Sequence, residues 1–428
     1  MLSTPQSKSF VLFVVFSFLI CYNSFTQKVS KDLEVANAYF EIGEYAKARE
    51  YYLISYGQSH SPTVAKNIAK CNYIIRDYLE AEVWFNKIYR SKDFTSLDLK
   101  DFCDVLKMNG KYNLAKTVAK NLIETNEYKE LGEALVSSCD SALNWIQSDN
   151  EYKVSPLKKI NTEYSEIAPT FYKDGIVFCT TREKNLIKKK TGFSDEPFYN
   201  LYFAWSDSNK VWRSGTFSIF LNTTDHEGPV TFNKNHDNIY LTRCRGGQSK
   251  LDSLKTNHLK LYKAYKQGIG WSKPEQFMIN DSIYSFGHPS ISDDEKIFFF
   301  ASNMAGGYGG TDIYACFKID STKWSLPINL GPNINSEYNE LFPFIHNEGK
   351  LYFSSDTPLG VGGYDIYHSA IVDGEWQTPV NMKFPINSSQ DDYSYILDEK
   401  KSKGFLSSNR KGGKGKEDLY LIQLKEMK

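Results

Sequence analysis

Apolar and polar positions follow two different rhythms along this chain. From residue 29 to residue 148, large and small apolar residues return at helical spacing. Tyr45 and Ala48, Tyr78 and Ala81, and Tyr112 and Ala115 repeat one Tyr-x-x-Ala step at intervals of about 33 residues. Gly43 and Gly110 stand two residues ahead of their tyrosines, where a turn between paired helices needs a permissive backbone. Tyr39, Tyr52 and Phe85 take other large positions, and the alanines let neighbouring helices approach closely. Leu131 to Trp145 is again apolar-periodic and predicts a helix that caps this stack.

From residue 150 the rhythm changes to short apolar runs broken by turn residues, which predicts strands. A unit of roughly 52 to 60 residues recurs, a period that indicates a propeller or a solenoid. One mark of it is Asn200-Leu201-Tyr202, Lys260-Leu261-Tyr262, Asp312-Ile313-Tyr314, Asp365-Ile366-Tyr367 and Asp418-Leu419-Tyr420. Another is an apolar residue before asparagine: Ile160-Asn161, Leu221-Asn222, Ile279-Asn280, Ile334-Asn335 and Ile386-Asn387. Between them stands a tryptophan: Trp271, Trp324 and Trp376 with proline three positions on, and Trp212 without it. In the third unit, Asp293-Asp294-Glu295-Lys296 predicts a hairpin turn, Ile297 to Ala301 a buried strand and Asp312 to Phe317 the next one. Glu151 to Ile160 reads as an outer strand with no inner strands before it, and the last unit, Tyr393 to Leu424, lacks an outer strand. Placing the first into the last closes a ring and removes two sheet edges. The expected fold is therefore α-helical repeats over 29–148 followed by an all-β propeller over 150–428. The count is five blades, since six would need strands the sequence does not show.

These phrases carry a resemblance. The helical period resembles tetratricopeptide repeats, with Arg76 in place of a glycine and Ala119 in place of an aromatic residue. Phe353-Ser354-Ser355-Asp356 before Gly362-Gly363-Tyr364-Asp365, and Ser407-Ser408-Asn409-Arg410 before Asp418-Leu419-Tyr420, resemble the WD40-like repeats of TolB-type propellers. Together they resemble envelope proteins of Bacteroidetes associated with type IX secretion and gliding. Many of those carry an OmpA-like domain that grips peptidoglycan, and the resemblance does not extend to that activity.

The N-terminus fits export. Lys8 precedes the apolar run Phe10 to Cys21, and Ser24 and Thr26 are the small residues that place cleavage after residue 26. Cys21 as a lipid anchor is disfavoured by the large residues Phe18-Leu19-Ile20 ahead of it. Lys plus Arg and Asp plus Glu both number 51, so no global field draws the chain to nucleic acid or an anionic membrane. Cys71, Cys103, Cys139, Cys179, Cys244 and Cys316 form no close pair and read as small apolar core residues.

Candidate chemistry is sparse. No Gly-x-Ser-x-Gly elbow is present, and the seven histidines show no metal spacing; His288 beside Pro289 can face the central channel, but a packed or solvated histidine is the favoured reading. Asp312, Asp365 and Asp418 beside glycines fit loop-holding bonds better than calcium, and the asparagines of the Ile-Asn pairs fit turns. Glu166, Glu227, Glu340 and Asp392 are expected on loops ringing one face, where a pair could act on a sugar. Their recurrence favours structure, so no enzyme and no cofactor or metal is expected. One recognition surface is expected instead. The second-to-third-strand loops carry Arg182, Lys184, Lys188, Lys189 and Lys190 in blade one. Blade two has Arg243, Arg245, Lys250 and Lys255, and blade five has Arg410, Lys411, Lys414 and Lys416. Ring closure makes these a basic crescent for an acidic protein surface or anionic envelope lipid. The functional expectation is an exported scaffold that binds proteins of the periplasm or outer membrane, with a glycan-binding or glycosidase propeller as the alternative.

Overall fold

A computed structural model describes residues 31–182, 197–208, 211–244 and 258–425. The leader region lies outside them. By internal contacts the chain divides into two compact units, at Val105/Leu106 inside the fifth helix.

The first unit is helical: α1 (31–41), α2 (Tyr45–Ser59), α3 (Pro62–Ile74), α4 (Tyr78–Ile88) and the start of α5 (Ser96–Met108). Its core joins Ala36, Ala48, Tyr52, Val64, Ile68 and Cys71. The turn before α2 uses Gly43 at φ 77°, and Arg76 before α4 takes the same left-handed form at φ 65°. The side chain there therefore does not alter the turn. Thr95 and Asp98 cap α5 reciprocally: the Thr95 N–H donates to Asp98 Oδ2 at 2.8 Å and the Asp98 N–H to Thr95 Oγ1 at 3.3 Å.

The second unit opens with the end of α5, α6 (Tyr112–Glu124) and α7 (Lys129–Gln147), then forms a five-bladed propeller. The inner strands are β2 (Glu166–Tyr172), β6 (His226–Phe232), β11 (Phe286–Ile291), β15 (Glu340–Ile345) and β20 (Asp392–Leu397). Each touches the next, and β20 touches β2, so the ring is closed. The ring closes as the sequence predicts. β1 (Tyr152–Pro156) pairs antiparallel with β22 (Asp418–Leu424), setting Tyr152 opposite Leu424 and Pro156 opposite Tyr420.

Continuous apolar runs form the middle strands because both of their faces are covered. In β12 (Ile297–Ser302), Phe298 and Phe300 pack with Tyr240 and Leu261 of blade two. Phe299 points the other way, onto Leu351 and Phe353 of blade four. Each pair of neighbouring blades shares such a cluster.

Blades four and five also hold the helices of this unit. Lys107, 2% exposed, donates to Ser138 Oγ at 2.6 Å and to the carbonyls of Pro358 at 2.9 Å and Gly360 at 3.2 Å. The Met108 carbonyl accepts from Gln390 Nε2 at 2.6 Å and Ser389 Oγ at 3.2 Å.

Candidate functional site

The residues that recur from blade to blade are engaged in holding the blades together. Each asparagine of the apolar-Asn pairs reaches one residue of a third strand through both of its polar atoms. Asn387 Oδ1 accepts from the Ile366 N–H at 2.7 Å, and its Nδ2 donates to the Ile366 carbonyl at 2.9 Å. Asn161, Asn222, Asn280 and Asn335 do the same with Leu419, Leu201, Leu261 and Ile313. The aspartates hold the glycine loops: Asp312 accepts the N–H groups of Tyr308 and Gly309, Asp365 those of Val361 and Gly362, and Asp418 those of Lys414 and Gly415.

The four recurring carboxylates differ from expectation. Glu166, Glu227, Glu340 and Asp392 belong to the inner strands, are at most 1% exposed, and do not ring an open face. Each accepts from the Ser or Thr four residues earlier: Thr162 to Glu166 at 2.6 Å, Thr223 to Glu227 at 2.7 Å, Ser336 to Glu340 at 2.6 Å and Ser388 to Asp392 at 2.8 Å. A buried carboxylate needs such partners, and here they pin the link between consecutive blades.

Three arginines of the expected crescent serve the same links. Arg182 donates to Glu166 and the Ile160 carbonyl, both at 2.9 Å. Arg243, 2% exposed, lies 3.2 Å from Glu227 and donates to the Leu221 carbonyl at 2.8 Å. Arg410 reaches Asp392 and the carbonyls of Pro385 and Ile386. Their guanidinium groups are turned into the blades. Lys414 donates to the carbonyls of Lys158 at 2.7 Å and Asn161 at 3.0 Å, while Lys411 and Lys416 lie exposed. Lys184, Lys188, Lys189, Lys190, Arg245, Lys250 and Lys255 fall outside the described residues.

The ring encloses a cavity of about 360 Å³ lined by all five inner strands. Each inner strand slips register once, between Ile167 and Thr170, Glu227 and Val230, Gly287 and Ser290, Leu341 and Phe344, and Tyr393 and Ile396. Such bulges re-aim a side chain. Ala168, His288, Phe342 and Ser394 sit there with φ between 52° and 56°, and all four line the cavity. Gly228 holds that place in blade two.

His288 stacks on Phe342 with centroids 3.9 Å apart and planes 8° apart, and Phe342 on Tyr393 at 5.2 Å. His288 Nδ1 accepts from the Phe342 N–H at 3.4 Å, which assigns the ring proton to Nε2. The ring keeps contact with the channel, yet the blades wall it in, and burial lowers its pKa to about 3. Ser394 Oγ is buried with no hydrogen-bond partner. At the turns following the inner strands the lining is charged, with Lys173, Lys234, Asp293, Asp398 and Glu399. The place before Pro289 admitted His288 to the channel, although a packed or solvated histidine was the favoured reading; Phe342 and Ser394 were missed. Aligning the positions before Pro169, Pro229, Pro289 and Pro343 would have exposed this column.

No protein-family description and no curated protein matches the chain. Solved structures do. A putative TolB from Agrobacterium tumefaciens is 14% identical with a TM-score of 0.34, covering 60% of this chain and 77% of its own. An alpha-L-arabinofuranosidase from Podospora anserina is 11% identical with a TM-score of 0.38, covering 64% and 97%. A family 117 glycoside hydrolase from Zobellia galactanivorans is 11% identical with a TM-score of 0.40, covering 64% and 90%. Likeness at these identities concerns the fold. It nevertheless corrects the expectation that the chain is no enzyme. Glycoside hydrolases recur among the similar structures.

Proposed function

We propose that this chain is an exported scaffold of the bacterial cell envelope that holds protein partners of the periplasm or outer membrane. The observation that carries the reading is a pair of aliphatic side chains left in water on a helix of the first unit. Leu79 and Val83, one helical turn apart on α4, are 60% and 59% exposed. Residues at that spacing share a face, and apolar surface presented by a helical repeat is suited to a protein partner. The leader-like N-terminus and the resemblance to Bacteroidetes envelope proteins linked to type IX secretion and gliding support the location.

In native envelopes, the full chain crosslinked in place and recovered by affinity is expected to bring down a partner that Leu79→Glu/Val83→Glu loses. Helical content should stay the same, because both residues are exposed. Equal recovery by the variant would remove the basis of the reading.

A further inference from the structure

We propose that the propeller channel is a binding site for a small neutral carbohydrate of one or two sugar rings. The proposal goes beyond the scaffold reading and stands without it. Size comes first: about 360 Å³ lies within the range of small-molecule clefts, roughly 300–1,000 Å³. The stack of His288, Phe342 and Tyr393 lies near the starts of the inner strands. A cavity of this size suits one or two rings better than a longer chain.

The polar groups inside are unsaturated. Ser394 Oγ is buried and unpartnered, a state that carries a desolvation cost unless a ligand or water meets it. The Nε2–H of His288 is available as a donor because Nδ1 is already accepting. Thr170 Oγ1 donates to the Val230 carbonyl at 2.7 Å and so keeps its acceptor capacity. Donors and acceptors thus lie close to the prolines of the inner strands, Pro169, Pro229, Pro289 and Pro343. A sugar offers the complement: hydroxyls that both give and accept, and a C–H face for an apolar wall.

Charge at the mouth selects against ions. Lys173 and Lys234 line the mouth from blades one and two, Asp293 from blade three, and Asp398 and Glu399 from blade five, with the Asp398 carboxylate already accepting from the Ser402 and Lys403 N–H groups and the Ser402 hydroxyl. Lys234 already stands 3.7 Å from Asp293. An anion or a cation gains from one set and is repelled by the other, whereas a neutral hydroxyl compound can use both.

The full chain would be titrated by saturation-transfer NMR and calorimetry with glucose, galactose, arabinose, N-acetylglucosamine and cellobiose, beside glutamate and inorganic phosphate. The expected result is saturable binding of at least one sugar, weakened about tenfold by Ser394→Ala with an unchanged melting temperature. Ala168 occupies the equivalent bulge in blade one, so alanine is compatible with that backbone. If Ser394→Ala fails to fold, His288→Ala carries the same comparison. The proposal is overturned if none of the sugars binds at millimolar concentration, if only glutamate or phosphate binds, or if sugar binding survives both substitutions.

Discussion

His288 illustrates how this fold sets the behaviour of a single residue. Its imidazole is enclosed by the blades, and burial holds its pKa at about 3 against an ordinary 6.5. A histidine whose folded pKa is lowered binds fewer protons folded than unfolded, so stability rises with pH up to the unfolded value and is lost below it. Between pH 6.5 and 4.5 this should remove about 1–2 kcal/mol from the propeller, discounting for the channel contact. His226, lowered to about 4 by burial, adds to the same trend. His288→Phe copies the residue that Phe342 places in the next blade. Urea denaturation at pH 4.5 and 7.5 should show a smaller acid loss in that variant than in the wild type. An identical loss would mean that the imidazole is not buried neutral.

At the level of the strand and its links, the blades are joined by side chains acting as backbone. Asn387 sits between β19 (Val380–Asn381) and β20, yet it bonds both polar groups of Ile366 in β17 (Asp365–Val372). It is fully buried, so no water can replace it. Asn387→Ala leaves the Ile366 N–H without its partner, while the Ile366 carbonyl keeps the Met382 N–H at 3.0 Å, and should cost about 1–3 kcal/mol. A chemical denaturation midpoint within error of wild type would show that the blade link has another source. The helical elements follow a similar logic: the Lys107 ammonium replaces water with one hydroxyl and two carbonyls, and so joins α5 and α7 to blade four.

Over the whole molecule, the five-membered ring depends on a strand that precedes every complete repeat. β1 supplies the outer edge of blade five, its Val154 opposite Ile422, and Tyr152 and Val154 pack against the cluster shared by blades four and five. Deleting residues 151–157 opens that edge and uncovers part of the cluster. The propeller's melting temperature should fall by about 10 °C or more. An unchanged melting temperature would show that the ring holds without its last strand.

Much of this was written locally. The period of the Asp-Ile-Tyr and Ile-Asn marks determined five blades, and the orphan strand Tyr152–Pro156 determined how they close. Those features repeat, and repetition makes a physical role visible in one sequence. The aspartates beside glycines likewise signalled loop-holding bonds, which the structure contains. Tertiary structure decided the rest. Whether Glu166 or Arg243 faced water depended on which neighbour lay across the blade, and burial with a Thr or Glu partner turned both inward. The channel site is the extreme case: Ala168, Gly228, His288, Phe342 and Ser394 have little in common as residue types. Only the bulge in each inner strand, repeated around a closed ring, turns the side chains of Ala168, His288, Phe342 and Ser394 toward one cavity.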